Sequence, residues 1–219
     1  MRTVAVTGAS SQLGVFLLPR LQASGFRVDA YGRSAPSSPI ETSRQVRWLR
    51  PRDDSGLLGA DALVSCGPLS LAVAMVANTD GLRQVVAFST TSVLTKAGSP
   101  NRSESGQMAA ILADEDRLKS ACRKSGVGLL LLRPTLIYGC GLDRNISLLA
   151  RIGKRSGFIP VAGNAGGLRQ PVHADDLAAL AVGALVAGEK IDMESPCLLY
   201  TSDAADEHRD VVGGGGGGG

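Results

Sequence analysis

The sequence predicts an α/β fold built on a doubly wound parallel sheet, and three observations lead to this conclusion. Short apolar segments rich in β-branched residues alternate with amphipathic helical segments along residues 2–187. The strand segments are apolar at nearly every position, which is typical of a parallel sheet covered by helices on both faces. The first strand ends in the turn TGASSQLG (7–14), which leads directly into a helix. Because crossovers between parallel strands share one hand, such a chain winds onto both faces of the sheet.

The first half of the chain supplies four strands and two helices. The first strand is predicted at 2–7, and a helix follows at 13–24, with Gly25 directly after it. Pro19 lies inside that helix, so we expect a local distortion or a shifted start. Further strands are predicted at 26–31, 45–49 and 62–66, and a second helix at 69–77.

The second half of the chain continues the alternation. Buried strands are predicted at 85–89 and 127–133, and Pro134 ends the latter. A long helix is predicted between them at 107–125, and two more helices follow at 146–155 and 174–187. A strand segment precedes the last helix, and no internal repeat is found.

Composition and charge exclude several classes of protein. Hydrophobic residues make up 44% of the chain and charged residues 20%, as in a folded globular protein. The formal charge is +3 and the basic residues are scattered, so no nucleic-acid partner is predicted. No apolar run approaches the roughly 20 residues that span a bilayer, and no signal peptide is visible, so we expect no membrane partner and a cytoplasmic location. The four cysteines show no metal-ligand spacing, so no metal site is predicted and reduced thiols are expected.

The first strand–helix turn is the strongest binding motif. Gly8 and Gly14 hold the outer positions of a TGxxGxxG pattern, and Ser11 occupies the middle one. Free N–H groups and the helix dipole attract an anion at such a junction, and glycine lets a diphosphate approach the backbone. The alternative is an ordinary tight turn. We predict a dinucleotide site whose cofactor-binding residues in this turn are Gly8, Ser10, Ser11, Gln12, Leu13 and Gly14.

The end of the second strand bears on which dinucleotide is bound. An acidic residue there selects NAD, whereas a basic one favours the 2′-phosphate of NADP. The sequence VDAYGRS places Gly32 at the expected acidic position and Arg33 directly after it. We therefore expect NADP(H) to be preferred over NAD(H), the alternative being that Arg33 is a solvated surface charge.

Four motifs together resemble the extended or atypical short-chain dehydrogenase/reductase superfamily, in its NAD-dependent epimerase/dehydratase group. They are TGASSQLG (7–14), VVAFSTTSV (85–93), LRPTLIYGCG (132–141) and RQPVHADDLAAL (169–180), which in order and spacing cover nearly all of residues 1–187. The resemblance implies a Rossmann-type domain, an NADP or NAD cofactor and a small-molecule substrate such as a nucleotide sugar. A homodimer is left open.

The resemblance also implies catalytic positions, and the chain departs from the family at most of them. The family hydroxyl falls at Thr90, and Ser89 beside it is assigned to the cofactor. Thr91 and Ser92 stand where nucleotide-sugar dehydratases carry an Asp-Glu pair, so that acid/base pair is absent. The family Tyr-x-x-x-Lys is absent as well: the tyrosine position falls at Gln107 or Met108, and the lysine position at Ile111 or Leu112. Neither a glutamine nor a methionine can move a proton as a phenol does.

The remaining motifs are expected to line the pocket. Arg133 and Pro134 end a strand where relatives hold the nicotinamide, and Arg169 is expected to bind a substrate phosphate or carboxylate. His173 is a substrate candidate, although a structural hydrogen bond at the helix start is the favoured alternative. Glu104 or Glu115 could act as a base, the alternative being a solvated carboxylate on the helix surface. Tyr138 is expected to pack at the pocket edge, and Asp175 and Asp176 are expected to cap the last helix.

Two functions therefore stay open at the level of sequence. One is an oxidoreductase or epimerase that uses NADP(H), and the other is a non-catalytic NADP-binding sensor or assembly protein that acts through partner contacts. Residues 197–207 (CLLYTSDAADE) resemble a translated sequencing adapter, and seven glycines end the chain. We expect 1–196 to be the NAD(P)-binding domain, 197–219 a non-native or disordered tail, and the family's C-terminal substrate lobe to be missing. The alternative is a natural acidic tail.

Overall fold

A computed structural model of the chain describes residues 2–32, 45–50, 57, 59–95, 101–143, 146–158 and 171–197. Nine strands and six helices lie within these residues. The strands are β1 (Thr3–Thr7), β2 (Arg27–Tyr31), β3 (Val46–Leu49), β4 (Ala62–Ser65), β5 (Gln84–Phe88), β6 (Gly128–Pro134), β7 (Leu136–Tyr138), β8 (Pro171–His173) and β9 (Asp192–Cys197). The helices are α1 (Gln12–Ala23), α2 (Leu69–Ala77), α3 (Ser92–Thr95), α4 (Arg102–Lys124), α5 (Ile146–Ser156) and α6 (Ala174–Ala187).

Seven of the strands form one parallel sheet in the order β3-β2-β1-β4-β5-β6-β9. The order reverses direction at β1, because β2 and β3 lie on one side of it and β4, β5, β6 and β9 on the other. The carboxyl ends beside such a reversal form the crevice in which open α/β sheets bind ligands. β7 and β8 form a separate parallel pair. The predicted doubly wound fold is confirmed.

Strand residues alternate between two cores, one on each face of the sheet. Val4 and Val6 of β1 pack with Leu17 of α1 and Leu177 of α6 on one face. Ala5 lies in the second core, with residues of α2 and α4 such as Met75 and Leu118. This period of two follows from the pleat of a strand, and every central strand is buried on both faces.

Several element boundaries differ from the predicted ones. Helix α1 starts at Gln12 and continues through Pro19, so the expected shifted start does not occur. Helix α4 begins at Arg102, well before the predicted residue 107, because the Asn101 side chain accepts hydrogen bonds from the backbone N–H groups of Ser103 and Glu104. The short elements α3, β7 and β9 were not among the predicted helices and strands. Among the described helices, none combines the length and apolar character needed to cross a membrane.

Candidate functional site

The turn between β1 and α1 brings two backbone segments into close contact. Gly8 has a φ of +64°, a left-handed conformation that favours glycine. A Cβ placed on it would lie 2.6 Å from the carbonyl carbon and oxygen of Cys66, at the end of β4. Gly14 is equally constrained, since its Cβ would lie 1.9 Å from the Ala9 carbonyl oxygen. Both glycines of the motif are therefore required by backbone packing at the reversal point of the sheet.

The start of α1 presents unpaired backbone donors. Ser11 is the N-cap residue, and its hydroxyl accepts a hydrogen bond from the Gly14 N–H at 3.4 Å. The amides of Gln12 and Leu13 have no acceptor among the described residues. The first turn of the helix contains no acidic side chain. These N–H groups and the positive end of the helix dipole form a cradle that suits an anion.

Two side chains at the carboxyl edge of the sheet carry buried polar atoms without a partner. They are Nε2 of Gln12 and Oγ of Ser89, and no other described side chain has a buried, unpartnered nitrogen or oxygen atom. Ser89 directly follows β5, and its N–H still continues the β5–β6 ladder with a bond to the Leu132 carbonyl at 2.8 Å. Buried polar groups are normally paired, so we expect a ligand or another polar group to form a hydrogen bond with each of these atoms.

The segment after β5 holds the hydroxyl that the family pattern assigns to catalysis. Thr90 Oγ1 accepts a hydrogen bond from the Ser92 N–H at 3.2 Å, which fixes the start of α3 and leaves the hydroxyl proton of Thr90 to donate elsewhere. The Thr91 N–H donates to the Pro134 carbonyl at 3.0 Å. That carbonyl belongs to the end of β6, so the β5 and β6 termini are tied together at this edge.

Helix α4 carries no phenol near this segment. Of the two residues at the family tyrosine position, Met108 is buried and Gln107 is exposed. The inward-facing position on α4 therefore holds a thioether, which neither donates nor accepts a proton. At the lysine position, Ile111 and Leu112 are both half-buried and apolar.

The Arg133 side chain is committed to an ion pair on the α4 face. Leu129 and Leu131 of β6 belong to the core beside α4, and Arg133 continues that alternation. Its guanidinium donates to both carboxylate oxygens of Glu115 at 2.6–3.2 Å, and to Glu194 at 3.0 Å. These hydrogen bonds raise the pKa of Arg133. Its guanidinium is thus engaged by Glu115 of α4 and by Glu194 of β9.

The environment of Glu115 differs from the one predicted from the sequence. It was expected to be either a base or a solvated carboxylate, but only 1% of its surface is exposed and it is fully paired with Arg133. A buried carboxylate held by a bidentate guanidinium is not solvated, and its oxygen atoms are taken up by the ion pair. No sequence motif marks this pair, although a single arginine at the end of the apolar strand GLLLLRP was a signal that a buried partner was needed.

His173 lies between two aromatic rings beside the cradle. Its ring contacts Phe16 of α1 at 5.2 Å and Tyr138 of β7 at 5.0 Å between centroids, both edge-on. Nδ1 accepts a hydrogen bond from the Asp175 N–H at 3.2 Å, so His173 is the N-cap of α6. In the neutral ring the proton is then on Nε2, which can donate.

The expected capping of α6 by Asp175 and Asp176 is therefore wrong. The Asp175 carboxylate instead binds Arg20 of α1 through two hydrogen bonds of 2.6 Å, and this contact lowers the pKa of Asp175. The side chain of an aspartate inside the first turn still complements the helix dipole, but the cap bond comes from the imidazole.

Comparison with known proteins identifies solved structures that share this fold. The sequence matches no protein-family model and no curated protein. The UDP-N-acetylglucosamine 4-epimerase of Bacillus cereus superposes with a TM-score of 0.69 at 18% identity, over 90% of this chain and 75% of that one. TunA, an NAD-dependent NDP-hexosamine 5,6-dehydratase of tunicamycin biosynthesis, gives 0.71 at 18% identity, over 92% and 76%. This chain has the fold of the NAD-dependent epimerases and dehydratases.

The same epimerase/dehydratase fold also occurs in reductases. Vestitone reductase from alfalfa (Medicago sativa L.) superposes with a TM-score of 0.64 at 14% identity, over 91% of this chain and 77% of that one. All three identities are low, so the likeness concerns the fold rather than the reaction.

A nicotinamide dinucleotide fits the residues that the epimerase/dehydratase fold places here. Its diphosphate requires close backbone approach, free N–H donors and no opposing carboxylate, and the turn at Gly8 with the amides of Gln12 and Leu13 meets these requirements. When bound, the group supplies hydride transfer. Arg33 and Arg169 lie outside the described residues, whereas the Gly32 N–H is bound to the Leu49 carbonyl at 3.1 Å.

Proposed function

We propose that this chain binds a nicotinamide dinucleotide in the β1–α1 cradle and acts on a nucleotide sugar or a similar polar small molecule, in the manner of an epimerase, dehydratase or reductase. The observation that carries the proposal is the cradle itself: Gly8 packed against Cys66, and unpaired amides at the start of α1. Solved structures of this fold include MoeE5 in complex with UDP-glucuronic acid and NAD. That protein is 21% identical to this chain, with a TM-score of 0.65.

The proposed cofactor is NADP(H) in preference to NAD(H). The proposal rests on Gly32 at the end of β2, where an acidic residue would bind the ribose hydroxyls, and on Arg33 directly after it. An Arg33→Ala variant is expected to lose about tenfold in affinity for NADPH and to keep its affinity for NADH. Equal losses for both cofactors, or tighter binding of NADH by the unmodified chain, would contradict the preference.

The proposed catalytic and substrate residues are Thr90, Arg169 and His173. Thr90 has a hydroxyl proton to donate because its oxygen accepts only from the Ser92 N–H among the described contacts. His173 offers Nε2–H as a donor, since Nδ1 is occupied by the helix cap. Arg169 would supply the charge that binds a phosphate or carboxylate. These groups bind and orient a substrate; none replaces the phenol that moves a proton in the family.

A second function has its own supporting observation. Met108 is buried and Leu112 is half-buried at the family tyrosine and lysine positions, so α4 contributes no acid/base group there. This favours a non-catalytic NADP-binding sensor or assembly protein that acts through partner contacts. Binding of the cofactor is common to both functions, and only turnover separates them.

Titration of the chain with NADPH and NADH, followed by nucleotide fluorescence, tests the binding step. Ser10 is exposed at the cradle, so a Ser10→Glu variant places a negative charge where the diphosphate is proposed to lie and is expected to abolish binding. Ser24→Glu, at the opposite end of the same helix, is the matched control and should bind normally. Failure of the unmodified chain to bind either nucleotide would overturn the proposal.

Turnover is tested on the same protein with UDP-N-acetylglucosamine, UDP-glucose, UDP-glucuronic acid and simple carbonyl compounds. Oxidation of NADPH is followed by its absorbance, and epimer formation by chromatography. Formation of a product by the unmodified chain, at a rate that falls at least about tenfold in Thr90→Val, supports the enzyme function. Tight NADPH binding without turnover across the panel supports the sensor instead.

A further inference from the structure

A cleft lies at the amino edge of the sheet, whereas the cradle lies at the carboxyl edge. Its walls come from the starts of β1, β4 and β5, from the end of α6 and from residues 188–190, and we name it the amino-edge cleft. Its volume is about 330 Å³. A cavity of this size lies in the range of small-molecule sites.

The wall that follows α6 is held in place by a buried side chain. Gln84 is 6% exposed, and its carboxamide donates to the Ile191 carbonyl at 3.2 Å and accepts from the Ile191 N–H at 3.0 Å. Gly128 permits this approach, because a Cβ placed on it would lie 2.2 Å from Gln84 Oε1. The cleft is therefore a preformed feature of the fold, as ligand sites usually are.

Arg2 provides a planar cationic group inside the cleft. Its guanidinium lies 5.0 Å from the centroid of the Phe26 ring and donates to the Leu185 carbonyl at 3.1 Å. The last carbonyl groups of a helix carry partial negative charge, and this bond offsets that charge at the end of α6. Phe26 covers one face of the guanidinium. Because Arg2 is exposed, its other face is available for a planar ligand to stack on.

The charged side chains of the cleft favour an anion. Arg83 and Lys190 are exposed, and neither side chain has an ion pair or hydrogen bond with another described residue. Three basic residues line the cleft against two acidic ones, Asp61 and Glu189. The Asp61 carboxylate already accepts a hydrogen bond from the Thr3 N–H at 2.8 Å. The unengaged charges are therefore mainly positive.

We propose that the amino-edge cleft is a second ligand site, which binds a small planar organic anion of the aromatic carboxylate class. The ring stacks on the Arg2 guanidinium, and the carboxylate lies between Arg83 and Lys190. This site goes beyond the proposed function. Val4 lines the cleft and Gly8 follows the same strand, so at roughly 3.3 Å per residue the two lie about 13 Å apart. The anion and a dinucleotide in the cradle can therefore be bound at the same time.

Calorimetric titration with 2-naphthoate and with its uncharged amide, 2-naphthamide, tests the site. We expect 2-naphthoate to bind with a dissociation constant below about 1 mM, and 2-naphthamide to bind at least about tenfold more weakly. Added salt should weaken the carboxylate and leave the amide unchanged. Saturating NADPH should not displace 2-naphthoate, because the two sites lie at opposite edges of the sheet.

Variants of the cleft locate the bound anion. Arg83→Ala and Lys190→Ala should each weaken 2-naphthoate by about three- to tenfold, whereas Lys154→Ala on α5, which does not line the cleft, is the matched control and should bind normally. Ala184 lines the cleft and is 9% exposed, so Ala184→Leu fills part of the space and should abolish binding without lowering the melting temperature. If Ala184→Leu does not fold, the variants of the two exposed basic residues still decide the question.

Three outcomes would overturn the inference. They are equal affinity for the carboxylate and the amide, unchanged affinity in both Arg83→Ala and Lys190→Ala, and displacement of 2-naphthoate by NADPH. The last result would place the anion in the cradle, and it would leave the proposed function standing. Failure of the unmodified chain to bind any dinucleotide would overturn the proposed function and leave this inference standing.

Discussion

Glu115 of α4 and Arg133 of β6 form a buried bidentate pair, with nitrogen–oxygen distances of 2.6–3.2 Å. Only 1% of Glu115 and 7% of Arg133 is exposed. The pair joins the long helix that follows the candidate catalytic segment to the strand whose end binds Thr91 through the Pro134 carbonyl. It therefore fixes the position of α4 against the site edge.

Removal of one partner from this pair should be strongly destabilising. Arg133→Met leaves the Glu115 carboxylate buried without a counter-charge, and such losses are typically about 3–5 kcal/mol in the free energy of unfolding. Urea denaturation monitored by circular dichroism measures the change.

The double variant Arg133→Met with Glu115→Leu is the decisive control, because an apolar pair of similar volume often restores much of the stability. We expect it to be more stable than Arg133→Met alone. A double variant that is as unstable as the sum of the single ones would show that the two side chains act independently.

Glu194 extends the pair to the last strand of the sheet and makes stability depend on pH. Lys119 binds its carboxylate at 2.7 Å, and this contact, followed by the bond from Arg133, lowers the pKa of Glu194. A carboxylate with a lower pKa in the folded state stabilises the fold above its unfolded pKa of about 4.3. That stabilisation is lost as the pH falls through the folded-state pKa.

Thermal melts between pH 7 and pH 3 test this coupling. Glu194→Gln should be less stable than the unmodified chain at pH 7, and the difference should shrink as the pH falls below about 4.3. Lys119→Met removes the main partner and should reduce the acid sensitivity in the same direction. Acid curves that run parallel in all three proteins would rule out the coupling.

The sequence predicted the sheet well, and its local signals explain why. Apolar runs such as those of β5 and β6 are unambiguous, and α2 and α6 have the predicted bounds. The start of α4 was misplaced because the Asn101 cap precedes a polar first turn with no apolar period. β9 depends on pairing with a distant strand, β6, which no local pattern reports.

Prediction of the site was uneven for a related physical reason. Gly8 and Gly14 lie where the backbone packs too closely for a side chain, which is a property that a sequence motif records. A sequence motif does not record in which direction a side chain points. Arg133 turned toward Glu115 and Asp175 toward Arg20, because these choices depend on what the neighbouring elements present. The hydrogen bond at the helix start that was favoured for His173 is observed.

We expect the cysteines to differ in reactivity, because Cys122 is buried, Cys66 is half-buried and Cys140 is exposed. Burial raises the pKa of the Cys66 thiol to about 12 and that of Cys122 to about 11, whereas Cys140 is exposed. Since the thiolate is the nucleophile, Cys66 and Cys122 should react slowly with iodoacetamide at pH 8 and Cys140 quickly.

Mass spectrometry of a Cys197→Ser variant after short labelling measures this order. We expect modification of Cys140 first, and of the other two only after unfolding in urea. Labelling of Cys66 as early as that of Cys140 would contradict this order.

Two glycines in helices should respond to alanine in opposite ways. At Gly14, a Cβ would lie 1.9 Å from the Ala9 carbonyl oxygen, so the β1–α1 turn must shift. Gly106 of α4 has no heavy atom within 4 Å of a Cβ placed on it. Gly14→Ala is expected to lower the free energy of unfolding by about 3 kcal/mol, whereas Gly106→Ala should raise it by about 0.5–1 kcal/mol through helix propensity.

Urea denaturation of the two variants gives the comparison directly, and the sign of the change is the critical result. Because Gly14 closes the cradle, its alanine variant should also lose NADPH affinity, whereas Gly106→Ala should bind normally. A Gly14→Ala protein as stable as the unmodified chain would mean that the turn relaxes without penalty, and that the glycine is not required there by close packing.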